Sequence, residues 1–319
     1  RSLMNNKRNF QTIITKCLLV IVLLFVFKSN AQQTCPSSWN EWQWPTHTNW
    51  FSGKAQMINF GAGGTSAVSN STFLGPGSPF TSYESASSAS DEDGNLVIFT
   101  NGVKLWDGNG NEVTIPGGRL LTGAESVSGG TGSAVQGVFI TKHPLNDNDY
   151  YIFTTDDAIG GINGITNGFN YFIYDKKNNT CSGANRLGNY RSTEQVSGTF
   201  HHNGIDIWIV THETAINGTS KNYNAYLLEC NGLVTNPVVS TLGFNVRSNT
   251  VYNDWQGNPK NSSEFSNERS SIRFQSNGSL NKTIKAAATF HCGQGTWDPV
   301  KSVSLLDFDC STGLFSNNV

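Results

Sequence analysis

Pairs of the type Asn-Gly and Asp-Gly recur between short apolar runs, and they restrict this chain more than any other feature. A two-residue hairpin turn needs positive φ at its centre, which Gly and Asn tolerate and most residues do not. Leu96–Thr100 follows the turn 91–95, and Val103–Trp106 precedes Asp107–Asn111. Val135–Lys142 is followed by Asp149–Thr155, and Phe169–Asp175 ends at Lys176–Thr180. Gly198–His202 and Asp206–His212 flank Asn203-Gly204, and Tyr223–Cys230 ends at Asn231-Gly232. Val238–Leu242, Ser271–Gln275, Ile284–Phe290 and Val303–Asp309 complete the series. The runs are rich in β-branched and aromatic residues, charge is sparse at 14 %, and no long stretch has a helical period. The expectation is an all-β fold.

These runs repeat. Gly94–Thr100, Asp149–Thr154 and Gly204–Thr211 read as one type of central strand. Phe172–Asp175, Ala225–Glu229 and Ser304–Asp309 read as its partner, each closing on an acid and a turn. A spacing of roughly 50–60 residues is near that of propeller blades. A blade cannot bury its faces alone, so blades stack radially. The expected fold is therefore a β-propeller over 49–319 with about four blades present. A β-sandwich is the competing architecture. After Val303–Asp309 come a turn and the start of another strand. Since a propeller must close, 49–319 is expected to be truncated at its C-terminus, with an open solenoid as the alternative.

The first residues read as a leader. Lys7, Arg8 and Lys16 precede the apolar run Cys17–Phe27, and Ser29-Asn30-Ala31 follows as a small-residue cleavage site, with Met4 as the start. This is the order of a secretory signal peptide over 1–31, and the run is short for a membrane-spanning helix. A signal anchor that is never cut is the alternative. No second apolar stretch is long enough to span a bilayer. Residues 32–48 then form a linker. The leader holds five basic residues and no acid, which leaves sixteen basic against 23 acidic residues, a net charge of −7. Such a surface disfavours nucleic acid as a partner. Export through the Sec pathway to the outside or the outer cell surface permits disulfides among Cys35, Cys181, Cys230, Cys292 and Cys310. The count is odd and no Cys-x-x-Cys occurs, so the pairing stays open and each cysteine can equally be a small buried residue.

Residues 49–60 contain Phe51, Gly53 and Phe60 in the pattern aromatic-Phe-Gly-x-x-Ala-Gly-Leu-x-Phe, with Ser52 and Gln56-Met57 departing from it. Residues 84–106 follow the pattern Glu-x-x-Ala-Ser-Ile-Ser-Asp-x-x-Gly-Asn-Leu-Leu-Phe-Tyr-Thr-Asp-Gly-x-x-Val-Trp more closely. Residues 133–155, 202–212 and 224–242 also fit. In these segments the chain resembles the propeller-like N-terminal regions of large Bacteroidetes surface proteins, described as gliding-motility-associated substrates of type IX secretion. The resemblance spans 49–319. It implies a cell-surface location, adhesion to surface proteins or glycans, and dealings with the type IX machinery where a sorting domain follows. It implies no activity.

No catalytic, cofactor or metal site is assigned from the residues. His201, His202, His212 and Glu213 have the chemistry for zinc, but neighbouring strand residues point to opposite faces and the His-Glu-x-x-His spacing is absent. Asp107–Asn111 has oxygens at alternate positions like a calcium loop, yet Glu112 and Gly118 stand where that loop wants Gly and Glu; a plain hairpin turn is the simpler reading. Asp91–Asp93 and Asn146–Asp149 read as turns. Gly129–Ser133 lacks the Lys-Ser/Thr of a phosphate loop. Glu84, Glu125, Glu194 and Glu213 are available to a hydrolase, which needs two carboxylates across a cleft. Trp39, Trp42, Trp44, Trp50, Trp106, Trp208, Trp255 and Trp297 offer stacking faces for sugars or proteins, or else core. The favoured reading is a non-enzymatic binding module. A carbohydrate-active hydrolase and a purely structural module are the alternatives.

Overall fold

The structure, a computed structural model, describes residues 49–52, 56–59, 68–69, 85–120, 134, 136–155, 168–188, 190–214, 219–247, 251–253, 259–261, 269–275, 280–291 and 301–317. Residues 1–31 and 32–48, expected to be leader and linker, lie outside them. The chain divides into Arg1–Pro36 and Ser37–Val319, and the second unit is described below. The described elements are strands, with no helix among the described residues.

β1 (Asn49–Ser52), β2 (Gln56–Asn59) and β3 (Val68–Ser69) form a small sheet. Sheet I contains β4 (Ser87–Ser90), β5 (Leu96–Thr100), β6 (Leu105–Asp107) and β7 (Glu112–Val113). Sheet II contains β8 (Val138–Lys142), β9 (Asp149–Thr154), β10 (Phe169–Asp175), β11 (Thr180–Cys181) and β12 (Asn185–Leu187), the last paired with β10. Sheet III contains β13 (Arg191–Phe200), β14 (Ile207–Thr214), β15 (Thr219–Glu229), β16 (Gly232–Leu233) and β17 (Val238–Arg247), the last beside β15. β18 (Val251–Asn253) and β19 (Pro259–Asn261) pair with each other. Sheet IV contains β20 (Arg269–Phe274), β21 (Thr283–His291), β22 (Lys301–Asp309) and β23 (Leu314–Asn317). Sheets I to IV are antiparallel meanders that run outward from their first strand in chain order.

Alternation along the strands decides what each face meets. On β14, Trp208 and Val210 join Phe308 and Phe315 between sheets III and IV. Ile207 and Ile209 join Phe153 and Phe169 between sheets II and III. Ile98 and Leu105 meet Ile152 and Phe172 between sheets I and II. Sheets II and III are thus covered on both faces, which is why their strands read as continuous apolar runs. The first strands lie side by side: β4 against β8, β8 against β13, and β13 against β20.

Trp106 and Trp208 are core residues, not exposed stacking faces, at 2 % and 4 % exposure. Trp106 stacks on Phe99 with ring centroids 5.4 Å apart. Trp208 meets Phe308 edge-on and donates its indole N–H to the Cys310 carbonyl at 2.8 Å. Burying one such ring contributes roughly 4 kcal/mol at ~25 cal/mol per Å². The side chains of the other six tryptophans lie outside the described residues. Cys230 is disulfide-bonded, whereas Cys181 and Cys310 are reduced thiols buried in the core.

Candidate functional site

Strand register sorts the connections into two ends. At one end lie the hairpins that join first to second strands, around Asp91, Asn146 and Asn203, and third to fourth strands, around Asp107, Asn178, Asn231 and Ser311. We term this the turn end. At the other, the loop end, second strands join third strands, through 101–104, 155–168, 215–218 and 292–300. Connections at the turn end, with 275–282 between β20 and β21 among them, do not exceed eight residues; the two longer ones, 155–168 and 292–300, join strand ends at the loop end.

Polar side chains at the turn end are consumed by the turns themselves. Asp107 Oδ1 accepts the amides of Asn109 and Asn111, each at 2.9 Å, and Oδ2 accepts the side-chain amides of Asn111 and Asn179 at 3.0 and 3.2 Å. Asp91 treats Asn95 the same way. Asp175 takes the backbone and side-chain amides of Asn178, which hold its carboxyl below the usual range. The lone pairs that a calcium ion would need from Asp107 are therefore directed at N–H donors.

His201 has a structural explanation in the repeat. Its Nδ1 accepts the Asn203 amide at 3.1 Å, and Asn203 Nδ2 donates to Asp206 at 2.7 Å. One sheet earlier, His143 Nδ1 accepts the amides of Leu145 and Asn146, and Asn146 Nδ2 donates to Asp149 at 2.8 Å. The same side-chain device closes successive first hairpins. His202 turns to sheet IV, where its Nδ1 meets the Leu280 carbonyl at 2.8 Å. His212 and Glu213 lie at the loop end of the same β13–β14 hairpin, so the four candidate ligands fall at opposite ends. Among the described residues no cluster of His, Cys, Asp and Glu is arranged for a metal ion.

Buried polar side chains gather at the loop end instead. Asn101, Thr155, Asn170, Ser192, Glu194 and His212 are all nearly inaccessible there. β13 carries the densest set, because its register shifts between Ser192 and Val196. Such a bulge re-aims side chains, and it buries Thr193, Glu194 and Gln195 in succession at 0 % exposure. Thr211 pins the bulge by donating its hydroxyl to the Gln195 carbonyl at 2.9 Å. Gln136, just before β8, aligns with Gln195 in a parallel bridge, and its amide spans to Ile272 of β20 through two hydrogen bonds of 2.8 and 3.0 Å.

The two faces of sheet III differ here. Toward sheet II, the Tyr190 and Tyr226 hydroxyls are 2.6 Å apart, and Asn222 donates to Glu213 at 3.0 Å. Burial first, then Tyr226 and Glu213, push the Tyr190 phenol well above its ordinary value; burial pushes Tyr226 to about 12. Both phenols are protonated at neutral pH. Toward sheet IV, His212 meets Tyr223 edge-on at 4.5 Å, and burial lowers the imidazole pKa to about 3.

Among the residues singled out from the sequence, Glu194 and Glu213 are brought to one end of one hairpin. Glu84, Glu125 and Gly129–Ser133 lie outside the described residues. Gln136, Thr193, Gln195, Tyr190 and Tyr226 were not anticipated. The one signal, for Thr193 and Gln195, is the polar run 191–195 leading into an apolar strand. No protein-family model and no curated protein matches the chain.

Proposed function

We propose that the described sheets are an arc of a β-propeller, exported and displayed on the outer cell surface or released, that binds surface proteins or glycans without transforming them. Three features support the architecture. Successive meanders of four or five strands stack face to face, their first strands adjoin, and the middle sheets bury both faces. A two-layer sandwich covers only one face of each sheet.

The observation that carries the binding reading is the difference between the two ends. Short self-satisfied turns make one end a scaffold, while the buried polar groups and the long connections share the other. Binding residues concentrate where loops are presented on a rigid frame. The leader and the resemblance to Bacteroidetes surface proteins support export, with type IX secretion if a sorting domain follows in the full protein.

The test is an array of glycans and surface proteins probed with residues 32–319, with and without calcium. Specific binding that calcium does not alter is expected, because the Asp107 oxygens already accept N–H donors. Silence from a folded sample would sink the binding reading and favour a structural module. A hydrolase reading draws on Glu194, Glu213 and the Tyr190–Tyr226 pair. Release of reducing sugar that Glu213→Gln abolishes would establish it in place of simple binding.

A further inference from the structure

We infer that the loop end of the interface between sheets III and IV holds a buried site for neutral O–H groups, built on Gln195, Thr193 and Tyr223. Gln195 is 0 % exposed, yet neither its amide nitrogen nor its amide oxygen has a partner in the protein. The hydroxyls of Thr193 and Tyr223 are equally buried and unpartnered. An unmet buried polar atom costs about 1–3 kcal/mol, so several in one place favour a guest that meets them.

Register places these groups together. Aligned residues of neighbouring strands project to the same side, so Gln195 shares the side of Gln136, which reaches Ile272 of sheet IV. Tyr223 packs against Phe315 of sheet IV at 4.8 Å. It also lies opposite His212, whose neighbours Thr211 and Glu213 pair with the two ends of the Thr193–Gln195 bulge.

The unmatched atoms select the guest. Gln195 offers both a donor and an acceptor, and a metal cation answers only the oxygen while an anion answers only the nitrogen. An O–H group donates and accepts, and so serves both. Burial keeps His212 neutral, and Glu213 is on the opposite face of β14, engaged by Asn222. Two sources share this chemistry: ordered water, and the hydroxyls of an uncharged sugar.

The test compares wild type with Thr193→Val and Tyr223→Phe, changes that remove a hydroxyl and keep the shape. Urea midpoints are measured in plain buffer, then with neutral mono- and disaccharides. Lower midpoints for both variants in plain buffer identify water as the guest. Unchanged or higher midpoints, with a sugar that stabilises wild type and neither variant, identify the sugar. Unchanged or higher midpoints with no sugar response overturn the inference. If either variant does not fold, wild-type NMR decides: long-lived water or sugar cross-peaks to the Gln195 amide protons are expected, and their absence overturns it. A silent binding array leaves the water arm intact, so the two readings fail separately.

Discussion

Acidification from pH 7.5 to 5 is expected to remove about 2 kcal/mol of stability through His212 alone. The imidazole is enclosed between sheets III and IV against Tyr223, and burial lowers its pKa from 6.5 to about 3. The unfolded chain takes up a proton near 6.5 and the folded chain resists it until about 3. Between those values the unfolded state binds more protons, so stability rises with pH. The contribution is whole above pH 6.5 and is lost as pH falls toward 3. At ~1.4 kcal/mol per pH unit, one and a half units below 6.5 gives about 2 kcal/mol, and pH 4 gives about 3 kcal/mol. That is a large share of the ~5–15 kcal/mol holding a typical domain together. His143 is also lowered by burial and acts in the same direction. The lowered carboxyls of Asp175 and Asp309 act only below their ordinary value of 3.8, outside this window. Urea midpoints at pH 7.5, 6 and 5 for wild type and His212→Gln isolate the residue. The variant should lose most of the pH slope. Equal slopes in both proteins would show that His212 is protonated without penalty and would refute the reasoning.

Gly108→Ala should destabilise the first sheet severely, because an added Cβ would collide with the Leu96 carbonyl; circular dichroism melting of the variant checks it. Asp107→Ala removes the acceptor for Asn109, Asn111 and Asn179 and should cost about 2 kcal/mol in chemical denaturation, while calcium leaves the wild-type midpoint unmoved. Burial pushes the Cys181 and Cys310 thiols to about 12 and about 11, so alkylating reagents should label neither in the native chain and both in urea. Labelling of native Cys310 at the rate of a free thiol would show that the interface between sheets III and IV opens readily.

The strands legible in the sequence are apolar runs bounded by turn residues. β5, β9, β10 and β22 fall within a few residues of the runs expected, whether the strand is almost wholly buried, as β9 is, or buried on one face, as β22 is with Leu306 and Phe308 inside and Val303 and Leu305 outside. β4 was not anticipated, since Ser87–Ser90 carries no apolar signal and pairs with β5 through its backbone. β13 was expected to begin near Gly198 and begins at Arg191. Its polar first half is buried because it adjoins β8 and β20, a circumstance that only tertiary packing supplies. The histidines invited a metal reading because sequence places His201 and His212 close together. The hairpin then carries them to opposite ends. The buried polar set at the loop end was illegible for the same reason. Its members come from different strands, and register alone assembles them.

The polar contacts at the seams between sheets differ in kind, and so in their response to salt. Sheets III and IV are stitched by short neutral bonds: the His202 amide and the Trp208 indole both donate to the Cys310 carbonyl, and the Phe315 amide donates to the Ser240 hydroxyl. At the turn end, sheets I and II are held by Lys142 to Glu92, Lys176 to Asp91 and Asn179 to Asp107. The first two are ion pairs with one partner in solvent, Glu92 at 58 % and Lys176 at 42 % exposure, which salt weakens. Raised salt is therefore expected to loosen the turn end of the seam between sheets I and II, while the neutral bonds between sheets III and IV keep their strength.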